Sequence, residues 1–203
     1  MFVVGFDLDM TLLDSRPGIV ASLAALSDET GVFIDSDVVI NRLGPKLEWE
    51  LAQWFPEDDV PAAAERYREH YWHHCVHGGT LLLPGARASV AAVRARGGRA
   101  IAVTAKSERL SHRCLETVDL AVDHVVGHVW GDEKRDALAA NNAAVYVGDT
   151  IADIEAGVAA GADAVGVATG MHTARELHAA GATAVFSSLV EFPGWLGRQP
   201  FAR

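Results

Sequence analysis

Cysteine is nearly missing from this chain: only Cys75 and Cys114 occur, without the close pairing of a metal knuckle or a disulfide framework, so a reducing compartment, the cytoplasm, is expected. No apolar run approaches membrane-spanning length, and the N-terminal run Phe2-Val3-Val4-Gly5-Phe6 is broken by Asp7, too early for the core of a secretion signal. Positive charge is scarce as well. Against 27 Asp and Glu stand 17 Lys and Arg, a formal net charge of -10, which opposes nonspecific attraction to nucleic acid or to an anionic membrane surface. An anionic substrate would therefore need a locally positive site. Internal repeats and low-complexity linkers are lacking too. What is present is an ordinary globular composition, 50% hydrophobic and 22% charged, which excludes wholesale disorder, and 203 residues, enough for one domain and a modest second unit.

Two aspartates end the first apolar run, in Asp7-Leu8-Asp9-Met10-Thr11. Side chains alternate along an extended chain, so Asp7 and Asp9 share one side while Phe6 and Leu8 take the other. Carboxylates so crowded raise each other's pKa or hold a cation, unless the segment is simply a strand entering an acidic loop.

After that strand the pattern predicts a helix from Pro17 to Gly31, with Ile19, Leu23 and Leu26 at helical spacing. Residues 36–78 continue helical, with a Leu47, Leu51, Trp54 stripe and punctuation at Pro56 and Pro61. From Leu81 onward, helices and short apolar strands alternate. Strands are expected at 99–104, 122–126, 144–147, 164–168 and 183–186, and helices at 86–96, 108–118, 134–141, 151–160, 173–180 and 189–196. The class is α/β: a Rossmann-like, mainly parallel sheet flanked by helices, comprising residues 1–14 and 81–203, with an all-helical insert at 15–80 after the first strand.

In such sheets ligands bind beyond the carboxyl ends of the strands, and four polar groups fall there. They are the Asp7/Asp9/Thr11 cluster; Thr104, suited to a phosphate oxygen or to a helix N-cap; Lys134, among acids on a short helix, where a solvated lysine is the plain alternative; and Gly148-Asp149-Thr150-Ile151-Ala152-Asp153. Asp153 lies one helical turn beyond Asp149, so an N-cap explains one of these aspartates but not both.

With these four clusters in this order, the chain resembles the haloacid dehalogenase-like hydrolase superfamily along nearly its whole length. Phe6-Asp7-Leu8-Asp9-Met10-Thr11-Leu12, Thr104, Lys134 and the 148–153 segment match that family's successive motifs, and the insert resembles the small helical cap of its phosphoglycolate phosphatase branch. The resemblance implies a phosphatase acting on a small phosphorylated metabolite, phosphoglycolate being one candidate. In that scheme Asp7 is the nucleophile that forms an aspartyl-phosphate and Asp9 the general acid and base. Thr11, Thr104 and Lys134 bind the phosphoryl oxygens, and Mg2+ is held by Asp7, the Asp9 carbonyl and Asp149, with Asp153 behind the ligands rather than on the ion. Two departures from the family pattern are Met10, where many relatives have glycine, and the short stretch from Lys134 to Asp149, which makes Arg135 the fallback for Lys134.

A cap would set substrate choice by closing over the site. Arg42 and Lys46 flank Gly44-Pro45 and are the cap cations offered to an anionic substrate, although charges beside a turn are also commonly just solvated. His70, His73, His74 and His77 read as a polar helix face rather than a metal cluster, Trp49, Trp54 and Trp72 as cap core, and Gly170 and His172 as a pocket border or a plain turn. The expected assembly is a monomer or homodimer. The rival readings are a phosphomutase, which would return the phosphoryl group to its substrate, and a noncatalytic phospho-responsive module, against which the retained Asp9 counts.

Overall fold

The buried apolar runs form a six-stranded, all-parallel sheet in a computed structural model that describes residues 1–202. In chain order its strands are β1 (Val3–Phe6), β4 (Arg99–Val103), β5 (His124–Val126), β6 (Ala143–Gly148), β7 (Asp163–Val167) and β8 (Ala184–Phe186), and in space they run β5-β4-β1-β6-β7-β8. The strand order reverses at β1, so the crevice at its carboxyl end opens between the loops after β4 and β6. Both faces are covered, which is why these strands read as continuous apolar runs. The covering helices are α5 (Ala86–Ala95), α6 (Glu108–Thr117), α7 (Asp132–Ala140), α8 (Ile151–Ala159), α9 (Ala174–Ala179) and α10 (Phe192–Leu196).

Four helices precede α5: α1 (Arg16–Thr30), α2 (Ser36–Ile40), α3 (Leu47–Leu51) and α4 (Val60–His74). Pro17 lies in the first turn of α1, and Gly31, at φ 71°, ends it with a backbone N–H donated to the Ser27 carbonyl. The helical block expected over 36–78 divides at Gly44-Pro45 and again, after the punctuating Pro56, at a 3-10 turn over Glu57–Asp59. On either side of these helices run two strands that hydrophobic alternation does not reveal, β2 (Leu13–Asp14) and β3 (Leu81–Leu82), paired antiparallel with Leu13 opposite Leu82. At two residues each, neither strand is long enough to show a period. The pairing brings the outgoing and returning chain side by side. Ile19, Leu23, Leu51, Tyr67 and Tyr71 then join Phe6, Leu12 and Leu13 in one continuous apolar cluster, so the helical segment shares its core with the sheet.

Trp49 departs from its expected core position: it is half exposed, while Leu51 of the same short helix is fully buried and Trp54 and Trp72 pack partly against the core. The final helical stretch begins as a 3-10 turn at Leu189–Glu191 before α10. Among the described residues, no helix is long and apolar enough to cross a membrane.

Candidate active site

The site grows from the last rung of β1. The Asp7 N–H donates to the Val147 carbonyl at 2.9 Å, which fixes Asp7 at the carboxyl end of β1, and the chain then folds on itself with Leu12 and Leu13 N–H groups both bonded to the Leu8 carbonyl. Met10 occupies the left-handed region at φ 61°, the conformation that favours the glycine of many relatives. Its side chain is buried, and the Thr169 hydroxyl is bonded to its carbonyl, so surrounding contacts hold the strained residue in place.

Lys134, on the first turns of α7, is 1% exposed and donates to Asp7 Oδ1 at 3.0 Å and to Asp153 Oδ1 at 2.6 Å. The solvated alternative does not describe this lysine. Arg135, the fallback, pairs instead with Asp132 and Asp136 on the surface. Burial alone would lower the Lys134 pKa, but the neighbouring Asp153 and Asp7 charges outweigh it and keep the ammonium protonated. For Asp7 burial wins: with Asp153 and Asp9 adding repulsion and Lys134 opposing, its pKa is pushed up to about 7. Burial, together with the Asp153 and Asp7 charges, also raises Asp149 well above the ordinary carboxylate range.

Asp153 serves two structures at once. It is the N3 residue of a capping box on α8, its Oδ2 accepting from the Thr150 N–H (3.1 Å) and hydroxyl (2.7 Å), while Oδ1 accepts from Lys134 and from the Tyr146 hydroxyl at 3.0 Å. Burial opposes its charge, yet Lys134 and Thr150 together hold the carboxyl below its usual range. With both oxygens engaged, Asp153 is a support behind the site.

Thr11 differs from its expected role. Its hydroxyl, fully buried, donates to Asp149 Oδ1 at 3.0 Å and so orients that carboxylate instead of standing free for a phosphate oxygen. Thr104 directly follows β4 and lines the same cavity as Asp7; the N-cap position of α6 falls at Ser107, three residues further on, so the helix-cap alternative falls away. Asp9 is held from two sides. The Ser15 hydroxyl donates to its Oδ1 at 2.5 Å, and Lys106 Nζ lies 3.1 Å from its Oδ2. Lys106 also donates to the Tyr71 hydroxyl of α4 at 3.1 Å and sits 4.3 Å from that ring's centre. Burial works against its charge, but Asp9, together with the neighbouring Tyr71, Cys114 and Tyr67, outweighs it and raises its pKa. Neither Ser15 nor Lys106 stands out in the sequence. Lys106 has a usable signal, because it lies two residues beyond Thr104 in the loop that follows a central strand.

Arg42 and Lys46 are not brought into the site as free cations. Arg42 is clamped by both oxygens of Glu50, at 2.7 and 2.6 Å, and its guanidinium lies near the rings of Trp49 and Trp54; Lys46 reaches across to Glu133 at 2.6 Å. Each pairs with a carboxylate remote in sequence, beyond the reach of local spacing. His70 pairs with Glu29, and His73, His74 and His77 are exposed. Gly170 abuts Asp149, whereas His172 is not part of the cavities around the site.

Asp7, Asp149 and Asp153 offer carboxylate oxygens within 4.8 Å of one another, a buried acidic cluster able to hold a metal ion. Beyond it opens a cavity of about 100 Å3, lined by Asp7, Asp9, Thr104, Lys106 and Asp149 on the sheet side and by Ile19, Leu47, Glu48, Tyr67 and Arg68 from the helical segment.

A parallel α/β core with this strand-end constellation defines a class of hydrolase, and comparison with known proteins specifies it. Residues 4–167 match the family model of haloacid dehalogenase-like hydrolases, and the chain belongs to that family. A phosphoglycolate phosphatase of Aquifex aeolicus is 32% identical over 77% of this chain and 80% of its own length. Another, from Rhodospirillum rubrum, is 29% identical over 95% of this chain and 89% of its own. In fold, the chain is similar to the crystal structure of a predicted phosphatase from Clostridium acetobutylicum, at a TM-score of 0.83 and 23% identity, covering 98% of this chain and 99% of that one.

Proposed function

We propose that this protein is a Mg2+-dependent phosphatase that hydrolyses a small-molecule phosphomonoester through an aspartyl-phosphate on Asp7. The observation that carries this is the buried Asp7–Lys134 pair at 3.0 Å, set beside Asp149 and opening onto the cavity that Asp9 also lines.

Mg2+ fits the donor set. Of the three buried carboxylates Lys134 bonds only Asp7 and Asp153, Asp149 Oδ2 is not the oxygen that Thr11 engages, and oxygen-only donors suit a hard divalent ion. The chain also keeps room there: a Cβ on Gly170 would stand 1.9 Å from Asp149 Oδ2. Asp7 and Asp149, with the Asp9 carbonyl, would hold the ion, which when bound offsets phosphoryl charge and lets both carboxylates ionise.

The chain's own groups then divide the work. Asp7 attacks phosphorus, forming its acyl-phosphate bond as the bond to the substrate alcohol breaks, and Asp9 gives that alcohol oxygen its proton. Lys134 and Thr104 face the charge on the transferring group. Asp9, now the base, takes a proton from water as the water attacks the acyl-phosphate, which releases inorganic phosphate and restores Asp7. Ser15 and Lys106 keep Asp9 in position throughout.

Asp7→Asn should abolish phosphate release from p-nitrophenyl phosphate in Mg2+; hydrolysis at the wild-type rate would refute the mechanism. Stoichiometric inorganic phosphate, rather than return of the phosphoryl group to a second hydroxyl of a sugar phosphate, separates this activity from that of a phosphomutase.

A further inference from the structure

Most polar side chains that line the cavity are already bonded. Asp9 is held by Ser15 and Lys106, Arg68 is bonded to Glu48 and Glu65, both Glu50 oxygens accept from Arg42, and the Thr104 hydroxyl accepts from the Lys106 backbone N–H at 3.3 Å. Tyr67 of α4 is different. It lines the same cavity and is only 7% exposed, yet its hydroxyl makes no hydrogen bond to any described residue. Among the described residues, the fully enclosed side-chain polar atoms without a partner are Glu48 Oε2 and Arg113 Nε. The Tyr67 hydroxyl is not one of them, so it is unbonded but open to whatever occupies the cavity. His128 and Ser107 also line the cavity without a side-chain bond, but the first is exposed and the second half-buried, so bulk water serves both.

The ring is fixed in place. It stacks on Tyr71, with centroids 5.8 Å apart and planes 16° apart, and the Tyr71 hydroxyl is bonded to Lys106. Burial, opposed by the Lys106 charge and reinforced by that of Asp9, raises the Tyr67 pKa well above the ordinary phenol range, so the hydroxyl stays neutral and has a hydrogen to give. The two charges that act on it most belong to the acid and its support, the side of the site where the leaving alcohol lies. Asp7, Lys134 and Thr104 serve the phosphoryl side. A donor enclosed with its substrate and left without an acceptor is costly, so a site built this way favours a substrate that supplies one.

Resting on the phosphatase reading above, we propose that Tyr67 recognises the leaving group: its hydroxyl donates a hydrogen bond to an oxygen that the substrate alcohol carries beyond the ester, either a hydroxyl or a carboxylate. An unsubstituted alkyl alcohol offers no such oxygen and leaves the phenol unanswered.

The test compares kcat/KM in Mg2+ for 2-hydroxyethyl phosphate, 2-phosphoglycolate and ethyl phosphate, three esters of two-carbon alcohols, in wild type and Tyr67→Phe. The wild type should prefer at least one of the first two to ethyl phosphate. In Tyr67→Phe that preference should shrink, by roughly 3- to 10-fold for a hydroxyl acceptor or 10- to 100-fold for a carboxylate, the loss of one neutral or one charge-assisted hydrogen bond. Which of the two ratios moves identifies the acceptor. Phe keeps the ring that stacks on Tyr71, and a fall common to all three esters leaves the ratios where they were. Ratios unchanged in Tyr67→Phe, or a wild type that turns over ethyl phosphate at least as well as both acceptor substrates, overturn the inference while leaving the phosphatase standing. Absence of phosphate release from all three and from p-nitrophenyl phosphate defeats the phosphatase reading and the inference with it.

Discussion

Replacing Lys134 with Met keeps the length and most of the volume of the side chain while deleting a cation that is 1% exposed and bonded to two carboxylates. Breaking a buried ion pair from one side leaves the other charge without compensation, at a cost of about 3–5 kcal/mol. In metal-free protein at pH 8 the Lys134→Met variant should lose stability in that range, because Asp7 and Asp153 stay packed together with Asp149.

The loss must depend on pH, and its sign follows from linkage. Asp7 titrates at about 7 in the folded protein against 3.8 for an ordinary aspartate, so the folded state holds this proton more tightly than the unfolded state does. Its contribution is most favourable below the unfolded value and is lost as pH rises through about 7. The depressed Asp153 does the reverse, contributing stability above the unfolded value that is lost as pH falls through its folded one. Removing Lys134 raises the folded pKa of both, so the variant takes up protons on acidification that the wild type does not need. The deficit should therefore shrink by at least ~1 kcal/mol between pH 8 and pH 5, since one unit of pKa shift is worth about 1.4 kcal/mol. Urea unfolding in EDTA at the two pH values measures it. A deficit below about 1 kcal/mol, or one independent of pH, would show that the buried triad does not rely on Lys134 for its compensation.

Lys106→Met removes the cation beside Asp9 Oδ2, and kcat for an alkyl phosphate should fall roughly 10- to 100-fold, with a smaller fall for p-nitrophenyl phosphate, whose leaving group needs little help from an acid. Equal losses on both esters, measured by phosphate release, would remove Lys106 from the positioning of the acid. Gly170→Ala sets a methyl group against Asp149 Oδ2 and should weaken Mg2+ binding roughly tenfold, measured by isothermal titration calorimetry; an unchanged affinity would place the ion elsewhere.

The central strands were legible because a doubly covered parallel sheet demands unbroken apolar segments, and β1, β4, β6 and β7 each supply one. The positions of Asp7, Thr104 and Asp149 followed from the same segments, since a polar residue directly after a buried strand has one place to go. The two-residue strands β2 and β3 carry no period at all. Arg42 and Lys46 resembled free cations because Glu50 is eight residues from the one, and Glu133 lies in a separate helix far along the chain from the other. Thr11 looked available for phosphate for a similar reason: its acceptor, Asp149, lies 138 residues on. Composition and local spacing report which side chains are charged; they do not report which charges have already found each other.

That distinction bears most on Asp9, whose surroundings were the least legible part of the site. Ser15 comes from the turn that leads into α1, Lys106 from the loop after β4, and Tyr71, bonded to Lys106, from α4. Three segments distant from one another in sequence thus meet through one carboxylate, and each is individually unremarkable. The Tyr71 ring is fully buried in the apolar cluster shared by helices and sheet, so α4 cannot shift by a side chain's width without changing what Lys106 contacts. A displacement of α4 then reaches Asp9 through a single intervening side chain. The helical segment is thus connected to Asp9 through Tyr71 and Lys106.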